Sequence, residues 1–149
     1  MSRAVTVLLV VLPVLAGCEA DLGDGSGPRI PNTCVVKADN PHFSTTGGHQ
    51  GLRQIVGKGW FICSTSLEDA VLTVDLQRLV SGDWEHEAGA TLTKQPVAAK
   101  RKYVQPVIIG CRDGRFRVRV RLSAHDRAGQ HSRSPWYYSK SVTDPCSGR

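Results

Sequence analysis

One segment, residues 115–122, constrains the fold of this 149-residue chain more than any other. Its sequence is R-F-R-V-R-V-R-L, in which arginine and apolar residues alternate without a miss. Successive side chains of a β-strand point to opposite faces, so the segment is predicted to be a strand with one buried face and one arginine face. The Arg112-Asp113-Gly114 sequence before it is typical of a turn. The chain is therefore expected to contain a half-buried β-sheet.

Further strands are predicted where short apolar runs are bounded by turn residues. Residues 70–80 also alternate, and Ser81-Gly82-Asp83 then turns the chain into a hairpin before Trp84. The other predicted strands are residues 34–38, 54–63, 102–111 and 135–142, and Pro106 favours an edge or bulge position for the third. Roughly seven strands separated by turns predict an all-β fold, an immunoglobulin/fibronectin-like β-sandwich.

The first twenty residues have the features of an export signal. Met1-Ser2-Arg3 gives a positive start, and residues 4–14 form an apolar run. That run is shorter than the roughly 20 residues that span a bilayer. Leu15-Ala16-Gly17-Cys18 closes it with small residues and a cysteine, and these four residues resemble the lipobox of bacterial lipoproteins. The alternative is an ordinary signal peptide that happens to end at a cysteine.

The resemblance to lipoproteins implies an address for the chain. Residues 1–17 would be removed as a signal peptide, and the Cys18 thiol would carry a diacylglycerol that anchors the protein to the extracytoplasmic face of the cell membrane, or of an outer membrane if the envelope has one. Residues 18–33 are rich in glycine, proline and acids, which is typical of a flexible tether. Residues 34–149 are then expected to form a single domain.

The other four cysteines, Cys34, Cys63, Cys111 and Cys146, are expected to form two disulfides, because the chain is predicted to be exported. Cys34 begins one predicted strand and Cys63 ends the next, so an antiparallel pair would bring them together. Cys111 and Cys146 stand in the same relation around the last strands. The rival pairing joins Cys63 to Cys111 between the sheets, with Trp84 between them in sequence. No Cys-x-x-Cys or Cys-x-x-His spacing predicts a metal site.

A second resemblance lies in the order of short motifs. After the first of these cysteines come P-H-x-S from Pro41, L-x-R from Leu76 with G-x-W from Gly82, and C-x-x-G-x-[FY]-R from Cys111. This order is similar to that of small exported β-proteins of unknown function from high-GC bacteria, and thirteen Arg against six Lys agree with a GC-rich genome. The resemblance implies the β-sandwich fold and carries no activity.

The sequence contains no pattern typical of catalysis or of a cofactor. There is no Gly-x-Ser-x-Gly motif, and two disulfides would leave no free thiol. Residues 47–51 are glycine-rich but lack the Lys-Ser/Thr of a phosphate-binding loop. The histidines are expected in loops or turns without metal-ligand spacing: His42, His49, His86, His125 and His131. The alternative hypothesis is a small enzyme or enzyme inhibitor that acts through residues 47–51 or the loops around His125 and His131.

The remaining feature is the distribution of positive charge. The chain carries a net charge of +6, and residues 94–133 hold eleven basic residues against two acidic ones. Four arginines would lie about 6.5–7 Å apart along one strand face, and a nearby basic run is expected to join them: Arg115, Arg117, Arg119 and Arg121, with Lys100, Arg101 and Lys102. Such a row can pair with the phosphates or carboxylates of a polymer.

The sequence thus predicts a lipid-anchored, non-catalytic binding module for an anionic envelope component or an acidic protein partner. Nucleic acid would fit the charge but not the predicted address. The alternative explanation is that the arginines keep the sheet soluble or pair across strands with acids such as Asp75.

Overall fold

A computed structural model describes residues 33–46 and 51–147 of the chain. The predicted signal peptide, Cys18 and all of the tether except Thr33 lie outside these ranges. Within them the chain forms nine β-strands and no helix, in this order: β1 (Cys34–Ser44), β2 (Gln54–Cys63), β3 (Asp69–Val80), β4 (Asp83–Lys94), β5 (Lys102–Gly110), β6 (Arg115–His125), β7 (His131–Arg133), β8 (Tyr137–Tyr138) and β9 (Val142–Thr143).

The strands form two antiparallel sheets that pack on one core. The first sheet has the order β1-β2-β5, and the second has the order β4-β3-β6 followed by the three short strands. Because β7, β8 and β9 all pair with β6, they behave as one interrupted edge strand. Seven strand positions in two sheets confirm the predicted immunoglobulin/fibronectin-like β-sandwich. The edge position predicted from Pro106 is also confirmed, because β5 borders the first sheet.

The core is built from the inward faces that the alternation predicted. Leu72, Val74 and Leu76 of β3 are fully buried, as are the apolar residues of β6 from Phe116 to Leu122. They pack against the inward residues of β2, including Phe61. The arginines of β6 therefore lie on its other face, which points away from the core.

The first and last predicted strands differ from the expectation. β1 continues past Ala38 to Ser44, and a register shift between Asp39 and His42 accommodates Pro41 as a bulge. The continuous strand predicted over residues 135–142 is wrong, since that region contains only β8 and β9. Proline has no backbone N–H, and the Ser139 hydroxyl accepts the Val118 N–H at 2.9 Å in place of a ladder carbonyl.

The preferred disulfide pairing is confirmed. Cys34 bonds to Cys63, its direct partner in the register of β1 and β2, and Cys111 bonds to Cys146. The rival bridge between Cys63 and Cys111 is therefore wrong. Trp84, which supported that rival as a core tryptophan, lies on β4 with its ring against the guanidinium of Arg117.

Candidate functional site

The arginine stripe lies on the outer face of the second sheet. β6 runs between β3 on one side and β7–β9 on the other, so each arginine has a neighbour from both sides. Arg117, Arg119 and Arg121 are half-buried, whereas Arg115 at the start of the strand is exposed. The stripe is therefore embedded among the side chains of adjacent strands.

Aromatic rings separate these guanidinium groups. The Arg117 guanidinium carbon lies 4.3 Å from the ring centroid of Trp84 and 4.5 Å from that of Tyr138. The ring of Trp136 lies 4.4 Å from the guanidinium carbons of both Arg119 and Arg121. Each stacked contact is a cation–π interaction, which stabilises the cation without neutralising it. We call this set the arginine–aromatic ladder: Arg117, Arg119, Arg121, Trp84, Trp136 and Tyr138.

Polar partners from neighbouring parts of the chain fix three of the four arginines through their Nε atoms. Arg119 donates to the Asp75 carboxylate at 2.6 Å, and Arg117 donates to the Gln77 amide oxygen at 2.9 Å. Arg115 donates to the Ser141 hydroxyl at 2.8 Å. The cross-strand pairing with Asp75 considered above is thus confirmed for one arginine.

Arg121 differs from Arg119 in its charge environment. No carboxylate among the described residues pairs with it. Burial lowers the pKa of Arg121, and the positive charges of Arg133 and Arg119 lower it further. The pKa of Arg117 is also lowered by burial, partly offset by Tyr138. Arg121 and Arg133 have no ion-pair partner among the described residues, so the Arg121 end of the ladder is the place where an added anion would gain most.

A shallow groove of about 450 Å³ runs beside the ladder over β3 and β4. Its polar centre is Asp75, which is 5% exposed and accepts hydrogen bonds from Arg119 and from His86 Nδ1 at 2.5 Å. Trp136 forms one wall, and the missing side chain of Gly89 keeps the groove open, because a Cβ there would lie 3.2 Å from His86 Cε1. The groove adds hydrogen-bonding groups and an aromatic surface to the cationic ladder.

The structure does not bring Lys100, Arg101 and Lys102 beside the stripe. Lys102 begins β5, the edge of the first sheet, and its Nζ lies 4.1 Å from the ring centroid of Trp60 on β2. Lys100 donates its backbone N–H to the Cys63 carbonyl at the end of β2. The expectation that these cations join the arginine stripe is therefore wrong, because the two groups belong to different sheets.

The expectation that the histidines lie in loops is wrong for those in the described part of the chain. His42, His86, His125 and His131 are all strand residues, whereas His49 lies outside the described residues. His125 Nδ1 lies 2.8 Å from Asp69 Oδ1, and its ring centroid is 4.9 Å from that of His131. Among the described residues no group of three or more His, Cys, Asp or Glu side chains could hold a metal ion.

Sequence patterning finds the arginines but not the aromatic residues between them. Trp84 lies on β4, beyond β3, and Trp136 lies between β7 and β8 on the other side of β6, so only the order of the second sheet shows that both face the stripe. The Trp136-Tyr137-Tyr138 sequence is the available signal, since three successive aromatics in a strand must leave at least one ring on the outer face.

Arg119 and Arg121 should differ in their contributions to stability. Replacing Arg119 by methionine keeps the apolar stem but leaves the buried Asp75 carboxylate with only His86, so we expect a loss of about 2–3 kcal/mol in the free energy of unfolding. Arg121→Met removes only the stacking on Trp136 and should cost about 1 kcal/mol or less. Urea unfolding followed by tryptophan fluorescence measures both losses, and equal losses would contradict this interpretation of the Asp75 pair.

Comparisons with known proteins identify neither a family nor a function for this chain. No protein-family model matches the chain, and no curated protein matches its sequence. The C-terminal domain of Wzt aligns at 12% identity with a TM-score of 0.44, over 79% of this chain and 84% of that domain. Spo0M, a sporulation control protein from Bacillus subtilis, aligns at 8% identity with a TM-score of 0.28, over 75% of this chain and 51% of Spo0M. No functional residue is transferred from either structure.

Residues 33–46 and 51–147 contain no membrane-spanning helix, since none of the segments in these ranges is a helix of the length and hydrophobicity that crossing a bilayer requires.

Proposed function

We propose that this chain is a lipid-anchored extracytoplasmic protein whose arginine–aromatic ladder binds an anionic component of the cell envelope, without catalysis. The observation that carries the proposal is the ladder itself, a row of guanidinium groups on an outer sheet face. Arg117, Arg119 and Arg121 are spaced along one strand and held at fixed positions by rings and hydrogen bonds.

The ladder suits a repeating anion because its donors are arranged in advance. Aromatic rings lie 4.3–4.5 Å from the guanidinium carbons of the three arginines, and the intramolecular hydrogen bonds of Arg117 and Arg119 use Nε. The Nη atoms of the three ladder arginines make no hydrogen bond to another described residue. Phosphate or carboxylate oxygens could therefore be bound from the solvent side with little loss of side-chain entropy.

The groove beside the ladder extends the proposed site. Its lining includes Thr73, Thr91, Trp136 and His86. These groups fit the uncharged part of a polymer repeat, while the ladder neutralises its anionic groups. Teichoic and lipoteichoic acids and acidic glycans are the envelope polymers with this chemistry.

The proposed address rests on the resemblance of Leu15 to Cys18 to a lipobox. The two disulfides are consistent with it, because such bonds persist in oxidising compartments outside the cytosol.

The test measures binding of the full lipidated chain, in detergent, to immobilised lipoteichoic acid, with dextran as the neutral comparator. We expect the double variant Arg117→Gln/Arg121→Gln to bind at least about tenfold more weakly and to lose part of the salt dependence, because two charge-assisted contacts are removed. Arg119 is not substituted, because it pairs with the buried Asp75 carboxylate. Its loss would destabilise the fold, and the effect on stability could not be separated from the effect on binding.

A matched control removes the same charge elsewhere. Lys94→Gln/Arg127→Gln lowers the net charge by two at positions outside the ladder, so binding should stay within about twofold of wild type. If both double variants weaken binding equally, the attraction is only the net charge of the domain. If wild type binds lipoteichoic acid no better than dextran, the proposed anionic polymer ligand is wrong.

A further inference from the structure

Lysines outside the arginine stripe belong to a second surface, on the first sheet. The register of the first sheet places Val35, Ile62 and Lys102 in one row, and Lys37, Trp60 and Val104 in the next. Side chains directly opposite in an antiparallel sheet lie on the same face. These rows are therefore neighbours on the outer face of the first sheet.

Two valines on this face are exposed among cations. Val35 is 59% exposed and Val104 is 44% exposed. Between them the Trp60 ring has the Lys102 Nζ at 4.1 Å and the Lys37 Nζ at 6.0 Å from its centroid. We call this surface the tether-end patch: Val35, Lys37, Trp60, Lys100, Lys102 and Val104.

Acidic side chains do not balance the patch. Asp39 is the one acid among the outward positions of β1, β2 and β5, and its carboxylate accepts the Trp60 indole N–H at 3.1 Å. The face thus combines a tryptophan, exposed aliphatic side chains and uncompensated lysines. Tryptophan prefers the boundary between lipid and water, and lysines beside an apolar surface favour anionic headgroups.

The patch lies at the end of the sandwich where the chain enters from the N-terminal side. Thr33 accepts a hydrogen bond from Ser64 N–H at 2.6 Å, and Lys100 N–H donates to the Cys63 carbonyl at 2.7 Å. The loop that carries Lys100 and Arg101 therefore lies beside the start of β1. An anchor on Cys18 would leave 15 residues to Thr33, and the tether predicted from the sequence would have a root-mean-square span of about 21 Å.

We infer that the tether-end patch docks on the surface of an anionic bilayer, so that the anchored domain lies with its first sheet against the headgroups and its arginine–aromatic ladder facing away. The inference rests on the proposed lipid anchor, which would hold the patch at a high local concentration of lipid. Each cation that reaches an anionic surface strengthens the association about fivefold. The arrangement would leave the ladder free for a ligand while the first sheet is covered.

The test is amine-reactive footprinting of the full lipidated chain in vesicles of phosphatidylcholine alone or with 30% phosphatidylglycerol, read by mass spectrometry. We expect Lys37, Lys100 and Lys102 to react at least about threefold more slowly in the anionic vesicles. Lys140, which lies between β8 and β9 of the second sheet, should react equally in both. Equal reactivity of the patch lysines in the two vesicle types would overturn the inference.

A variant and a flotation step separate this inference from the proposed anchor. Lys100→Gln/Lys102→Gln should restore most of the reactivity of Lys37 in anionic vesicles, and unchanged protection would mean that the patch is not the docking surface. If the lipidated chain fails to float with the neutral vesicles, the anchor is wrong. If it floats and the lysines remain equally reactive, the anchor stands and the docking surface is wrong.

Discussion

Replacing Gly59 with alanine should destabilise the domain by about 3 kcal/mol, at the upper end of the usual cost of overpacking a core. Gly59 faces the second sheet from β2, and a Cβ at this position would lie 2.4 Å from Val120 Cγ1 and 2.7 Å from Val74 Cγ2. Both valines are fully buried, so neither can move aside without displacing its own neighbours. The midpoint of thermal unfolding should fall by on the order of 10 °C.

A matched glycine on the neighbouring strand separates packing from backbone effects. Gly110 ends β5, and a Cβ built there meets no atom within 4 Å. Gly110→Ala should therefore leave stability within about 0.5 kcal/mol of wild type, or raise it slightly by restricting the unfolded chain.

A second substitution locates the overlap. Val120→Ala removes the methyl groups that a Cβ at residue 59 would strike, so Gly59→Ala/Val120→Ala should lose less stability than the sum of the two single variants. Strict additivity would mean that the two sheets do not meet closely at Gly59.

A strand of this fold is predictable from the sequence when the pattern of its own residues determines it, and not when contacts with other strands determine it. β6 is predicted because its eight-residue alternation permits only one buried face, and the pairing of Cys34 with Cys63 follows from two predicted strands that are consecutive in the sequence. The last strand is not predictable in this way. Its breaks depend on the hydroxyls of Ser134 and Ser139, which accept N–H groups of β6 that a continuous strand would have bonded.

The candidate site is likewise predictable from the sequence only in part. Alternation in one strand places Arg117, Arg119 and Arg121 on a common face, but the rings that contact them come from other parts of the chain, on either side of β6. The prediction that Lys102 joins the stripe is wrong because closeness in sequence to Arg115 does not place a residue in the same sheet. Counting positions shows which residues of one strand share a face. Contacts between residues on different strands can be predicted only when the order of the strands in the sheet is known.

Substitution of Cys18 should abolish lipid attachment completely. The Cys18 thiol is the proposed acceptor of the diacylglycerol, and the four other cysteines are all held in disulfides. Cells that make the wild-type chain and are fed an alkyne-labelled palmitate should yield a labelled protein that begins at residue 18. The Cys18→Ser chain should carry no label, because a serine hydroxyl is a far weaker nucleophile than a thiolate.

Ala20→Ser supplies the control for this experiment, since it introduces the same side chain two residues later and should retain both the label and the new N-terminus. Labelled protein from the Cys18→Ser chain, or wild-type chain that begins elsewhere, would contradict the lipoprotein address. The result also tests the compartment in which the disulfides form, because the anchor and the export signal are parts of the same proposed segment. An exported chain reaches a compartment where Cys34–Cys63 and Cys111–Cys146 can form, so wild-type protein should also show no free thiols after denaturation without reductant.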